Sequence, residues 1–182
     1  MTPAIRRLAL ITHVVASVGW LGAVAAFLVL AVAGLLGDDM QHVRGAYVAM
    51  DLIGWSVIVP LSLASLLTGL VLSLGTEWGV FRHYWVSIKL VINVVASGVL
   101  LLHMVMVHRV AEAAIHSTWT GDALRGIRAR LIGDAAAAAI VLLVATALSV
   151  LKPRGLTARG RRLRRERDAG RDVAAVTSSV RA

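Results

Sequence analysis

Four long apolar stretches, separated by short polar ones, set the pattern along the chain. The first runs from about residue 5 to Leu36, the second from Tyr47 to Leu74, the third from Trp85 to Val107, and the fourth from Leu131 to Leu151. Each reaches the ~20 residues that a helix needs to cross the hydrocarbon of a bilayer. The pattern predicts an all-α, four-helix transmembrane bundle over residues 1–151.

The polar intervals fit between these helices. Residues 37–46, GDDMQHVRGA, read as a short loop. Residues 75–85, GTEWGVFRHYW, read as a second, whose Trp78, Phe81, Tyr84 and Trp85 suit the aromatic belt of a membrane interface. Residues 108–130 form the longest loop, with room for a short amphipathic helix. Pro60 falls near the middle of the second stretch, where a missing backbone donor predicts a kink. A cleaved secretory signal is the rival reading of the first stretch, and Ala31-Val32-Ala33 resembles a cleavage site. Signal cores run only about 7–15 apolar residues. The stretch here is nearly twice as long, so it reads as an uncleaved first helix.

Composition supports the membrane reading. Of 182 residues 58% are hydrophobic, well above the ~45–50% of an ordinary soluble domain. Mean hydropathy is +0.80. The chain has no cysteine, which excludes disulfides, thiolate metal sites and thiol nucleophiles.

Charge changes the picture at one end only. The net charge is +9, but ten of the nineteen Lys and Arg lie in residues 152–182. This segment begins with Lys152-Pro153 and holds too little apolar surface to build a core. It reads as a disordered basic tail that attracts anionic lipid head groups, not nucleic acid. An even number of spans puts both termini on one side. That side carries Arg6, Arg7, Arg82 and the tail, against Arg44, Arg109, Arg125, Arg128 and Arg130 on the other. The positive-inside rule then places both termini in the cytoplasm.

Ionisable residues inside apolar spans are costly and mark candidate sites. His13 lies in the first turns of the first span and Lys89 one turn into the third, so the topology puts both at a similar depth. His13, Ser17 and Trp20 share a helix face, as do Lys89, Asn93 and Ala96. The spacing suits a pocket between helices, provided that the first and third spans are neighbours. An imidazole is a good axial ligand for haem iron. A desolvated lysine loses its proton readily, and its neutral amine can bind metal. His13 and Lys89, with Trp20 and Asn93 beside them, are therefore candidates to hold a b-type haem. The plainer reading stays open: Lys89 snorkels to the interface, and His13 bonds a carbonyl or Ser17.

A second polar set lies toward the other end. Asp51 begins the second span, Asp134 the fourth, and His103 is fourteen residues after Lys89 on nearly the same face, about 21 Å along the axis. Carboxylate with imidazole suits a divalent cation, and nearby Met104, Met106 and His108 bring copper into view. Helical spacing splits those residues between two faces. Capping and solvated carboxylates are the plainer explanation. In the second loop, Arg82 or His83 would lie near the carboxylates of a haem bound at the first site, and Glu77 reads as an interfacial anchor.

The stretches HVVASVGWLGA, with His13 and Trp20, and YWVSIKL, with Trp85 and Lys89, resemble the layout of small bacterial four-helix membrane proteins. Together with SLASLLTGLVLSLGTEWGVFRHYWVSIKL, they make residues 5–151 most similar to an actinobacterial family of integral membrane proteins of uncharacterised role. That resemblance implies a multi-pass protein of the bacterial cytoplasmic membrane. HemJ-type protoporphyrinogen oxidases are more distantly similar. They have a first-helix histidine and a third-helix lysine associated with haem, at the places of His13 and Lys89. They also have an arginine further along the first helix, where this chain has Phe27-Leu28-Val29-Leu30. The CopD-type copper-resistance domain is similar in its first-helix histidine and following tryptophan. The resemblances imply haem-linked electron transfer or porphyrin oxidation, copper or cation handling, or a membrane subunit without chemistry of its own. A second copy of the chain or another membrane subunit is a candidate protein partner.

Overall fold

The structure, a computed structural model, describes residues 2–75, 84–116, 122–151 and 161–162. Among the described residues five α-helices make four spans. Helix α1 covers Pro3–Leu36 and is the first span. Helix α2, Met40–Ile53, and helix α3, Val59–Gly75, are joined by a π-helical turn at Gly54–Ile58 and together form the second. Helix α4, Tyr84–Ile115, is the third, and α5, Asp122–Leu151, the fourth. All four are long and apolar enough to cross a membrane. The chain is an all-α bundle with no strand among the described residues.

The helices are longer than the apolar pattern alone implied. Residues 40–46 begin α2 and are not loop: Asp39 accepts a hydrogen bond from the backbone of Gln41 and caps the helix. The long interval at 108–130 also shrinks, because α4 continues to Ile115 and α5 starts at Asp122. Polar side chains there share the helix ends with apolar ones such as Val43, Val110 and Ala114, which belong to the core. The expectations for Glu77, Trp78, Phe81, Arg82 and His83, and for the basic tail's disorder and lipid binding, lie outside the described residues.

Pro60 acts through the turn before it. Its ring has no N–H and would press on the carbonyl four residues back. The preceding turn is widened into a π-helix, and the Val59 N–H donates to the Gly54 carbonyl, five residues back. The span runs through the proline without a break.

The core follows from one stripe on each helix. On α1 the buried positions are His13, Ala16, Trp20, Val24, Phe27, Ala31 and Gly34, in steps of three or four. Val43, Tyr47 and Met50 of α2 meet them, with Met104, Val107 and Val110 of α4 and Leu131 and Ala135 of α5. The outward faces are also apolar: Leu8, Val15, Val29, Leu67, Leu102 and Leu143 are all exposed. A helix apolar all round belongs in hydrocarbon, so this surface is that of an integral membrane protein in contact with lipid.

Packing sets the order around the bundle. The first span packs on the second and fourth, and so does the third. The first and third therefore face each other diagonally and are not packed neighbours. Both termini of the four-span unit lie at one end, which we call the terminal end.

The opposite end is closed by a clamp. Arg128 of α5 donates from Nε to the Tyr47 hydroxyl at 2.9 Å, and from Nη2 to the carbonyl of Gly34. Its guanidinium also stacks over the Tyr47 ring, 5.5 Å from the centroid. One side chain thus satisfies a free carbonyl at the end of α1 and ties three helices together.

Candidate functional site

A cavity of about 560 Å³ opens at the terminal end, lined by all four spans. That is within the roughly 300–1,000 Å³ of small-ligand pockets. Its polar lining comes from Arg6, His13 and Ser17 of α1, Ser73 of α3, Lys89 and Asn93 of α4, and Thr146 and Ser149 of α5. Leu10, Val14, Leu66 and Val86 supply apolar wall. The diagonal arrangement makes this space: the first and third spans leave a gap between them, and α3 and α5 close its sides.

His13 is buried and held from α3. Its Nδ1 lies 3.0 Å from the Ser65 carbonyl and 3.1 Å from Thr68 Oγ1. A carbonyl only accepts, so Nδ1 carries the proton. Thr68 uses its own hydroxyl proton on the Ala64 carbonyl at 2.6 Å, which leaves its oxygen free to accept as well. In the neutral ring Nε2 is then the nitrogen with the lone pair. It has no hydrogen-bond partner among the described residues. Gly69 makes the approach possible: a Cβ there would sit 3.0 Å from His13 Cε1. Ser17 extends the same seam through a 2.8 Å bond to Ser65 Oγ.

Lys89 faces the cavity from the far side. Its ammonium donates to Ser149 Oγ on α5, and Ser149 in turn donates to the Ala145 carbonyl at 3.0 Å. Asn93, one turn further in, is buried and lines the same space. Trp20 does not: it sits in the hydrophobic core with Val24 and Phe27, beyond the cavity. His13, Lys89 and Asn93 are thus brought together, and Trp20 is left apart.

The polar residues of the opposite end form two separate pairs. His103 donates from Nδ1 to Asp134 Oδ2 at 3.1 Å, with Arg130 3.6 Å from the same oxygen. Asp51 pairs instead with His108, also at 3.1 Å. Asp51, His103 and Asp134 do not converge. Among the described residues no three His, Asp or Glu side chains gather closely enough to hold a metal ion. His103 packs its ring 6.1 Å from that of Phe27 and keeps a buried Nε2 without a partner among the described residues. Asp134 is therefore the polar anchor of a ring otherwise set in apolar surroundings. Asp134→Ala should cost about 1–3 kcal/mol by leaving Nδ1 unpaired. Thermal unfolding in detergent reads this directly, and an unchanged midpoint would count against the anchoring role.

Some residues of the cavity are not obvious from charge. Ser65, Thr68 and Gly69 hold His13, and Ser149 holds Lys89. A signal for the first group exists in SLASLLTGLVLS: Ser62, Ser65, Gly69 and Ser73 recur at steps of three and four on one face. Small residues on one face of a spanning helix mark close approach of a neighbour. Comparison of the chain with protein-family models, with curated proteins and with solved structures gives no match.

Proposed function

We propose that this integral membrane protein holds a b-type haem in the terminal-end cavity, with His13 as the ligand to iron. The observation that carries the reading is the His13 Nδ1–H bond to the Ser65 carbonyl. It leaves Nε2 as the lone-pair nitrogen in a ring whose orientation is fixed, the arrangement that supports metal-ligating histidines. The apolar walls suit a porphyrin body, and the cavity volume is of the right order. The likeness of the His13 and Lys89 layout to HemJ-type proteins points the same way.

When bound, haem supplies a redox-active iron to the membrane interior. The chain's own residues do the rest. Leu10, Val14, Leu66 and Val86 exclude water, and Ser65 and Thr68 orient His13. Lys89 presents a cation across the cavity and is held in place by Ser149. We assign Lys89 to charge and not to iron, because its amine is already directed to a hydroxyl on α5. The absorption spectrum of the purified protein, oxidised and reduced, tests the proposal. A colourless protein after haem is supplied during expression would overturn it.

We also propose that the terminal end faces the cytoplasm, on the distribution of Lys and Arg. A reporter fused after Ala182 should then be active only in that compartment. Activity on the other face would reverse the orientation of the cavity.

A further inference from the structure

The two ends of the bundle differ in how their charges are matched. At the opposite end Asp39, Asp51, Glu112 and Asp134 each hold a histidine. At the terminal end His13, Lys89 and Arg6 line one cavity, and among the described residues no carboxylate lines it with them. Helices α1 and α3 contain no Asp or Glu. Helix α4 has none before Glu112, and α5 has none after Asp134. Lys89 is partly buried, and its hydrogen bond is to a neutral hydroxyl. A cation out of bulk water without a counter-ion is costly, and pairing it recovers much of that cost.

We infer that the missing anion comes with the ligand: the cavity takes an amphipathic carboxylate. The ligand's apolar body lies along Leu10, Val14, Leu66 and Val86, and its carboxylate is matched to Lys89, with Arg6 at the exposed rim. This rests on the cavity being a ligand site but not on iron being bound. The carboxylate has two available sources, the propionates of a porphyrin and the head of a free fatty acid. Their shared chemistry is what Lys89 recognises.

Paired acid and ester probes test this. The full chain is purified in a detergent with a neutral head group. Haem b is titrated against its dimethyl ester by absorbance, and oleate against methyl oleate by the rise in unfolding temperature. The acid should bind about tenfold more tightly than its ester, the scale of one charge-assisted bond. Lys89→Met should remove that preference, Lys89→Arg should keep it, and Arg6→Gln should weaken it. Size-exclusion profiles show whether each variant is folded, and the arginine variant keeps the test valid if methionine is not tolerated.

Preference in the haem pair alone identifies a porphyrin, and preference in the oleate pair alone identifies a fatty acid. The second result, with no haem bound, would sink the haem proposal and leave this one standing. Haem bound as tightly in ester as in acid form, with no oleate preference, would overturn this inference and leave the haem proposal standing. A preference that survives Lys89→Met would also overturn it.

Discussion

Replacing His13 with alanine is expected to abolish the Soret band of the haem-loaded protein, while replacing His103 leaves it in place. The two histidines are alike in several respects. Both lie on core-facing stripes, and both donate from Nδ1 to an oxygen. They differ in what the other nitrogen meets. His13 lines a cavity large enough for a ligand, whereas the Nε2 of His103 is shut inside the packed helices with Phe27 beside it. Only the first has room for a porphyrin.

The size of the effect follows from the role. Losing the hydrogen-bonded support of a metal ligand costs about 10–100-fold in affinity. Losing the ligand itself should exceed that, so His13→Ala should weaken haem binding by at least ~100-fold. The variant should still fold. Its removal frees the Ser65 carbonyl, which the α3 backbone already engages. A Soret band equal to that of the unaltered protein in His13→Ala would exclude His13 as the ligand, whatever else binds.

The second large effect is structural. Gly34→Ala should destabilise the bundle by about 1–3 kcal/mol, the usual cost of overpacking. A Cβ at residue 34 would lie 2.7 Å from Cζ of Tyr47 and 2.9 Å from its hydroxyl oxygen. A flexible side chain would move aside, but this ring cannot. It is fully buried, and Arg128 holds its hydroxyl at 2.9 Å and covers its face. Any shift also pulls on the bond between Arg128 and the Gly34 carbonyl. Thermal midpoints in detergent check the prediction, at roughly 2–4 °C per kcal/mol for a chain of this size. Tyr47→Ala alone should be costly too. The double variant should cost less than the sum of the two, because the clash disappears with the ring. Strict additivity would show that Gly34 is not required by the ring's approach.

The membrane character of the protein was legible from one dimension. A bilayer accepts only segments that satisfy their own backbone and are apolar on all sides, so length and hydropathy alone mark the four spans. The ends of the helices were less legible. Residues 40–46, 109–115 and 122–130 interrupt the apolar pattern with charged side chains yet are helical. A helix that leaves the hydrocarbon continues on capping and backbone hydrogen bonds, which hydropathy does not register. Asp39 is one such signal, an acidic residue two positions before a backbone N–H that needs it.

The candidate site divides in the same way. That His13 and Lys89 lie at one depth follows from counting residues along antiparallel spans, and the sequence by itself determines it. It also determines that the terminal half of the bundle has cations and, on its helices, no acid. Tertiary structure alone decided the rest. Whether two spans are adjacent or diagonal depends on which stripes interlock, and no pattern within a single helix reports that. The diagonal arrangement keeps His13 and Lys89 on opposite walls, hands His13 to Ser65 and Thr68, and hands Lys89 to Ser149. It also splits Asp51 from Asp134 and gives each its own histidine. The sequence therefore specifies which polar groups enter the membrane and how deep they lie. The packing specifies their partners, because each partner comes from a different helix and is placed by contacts far away in the chain.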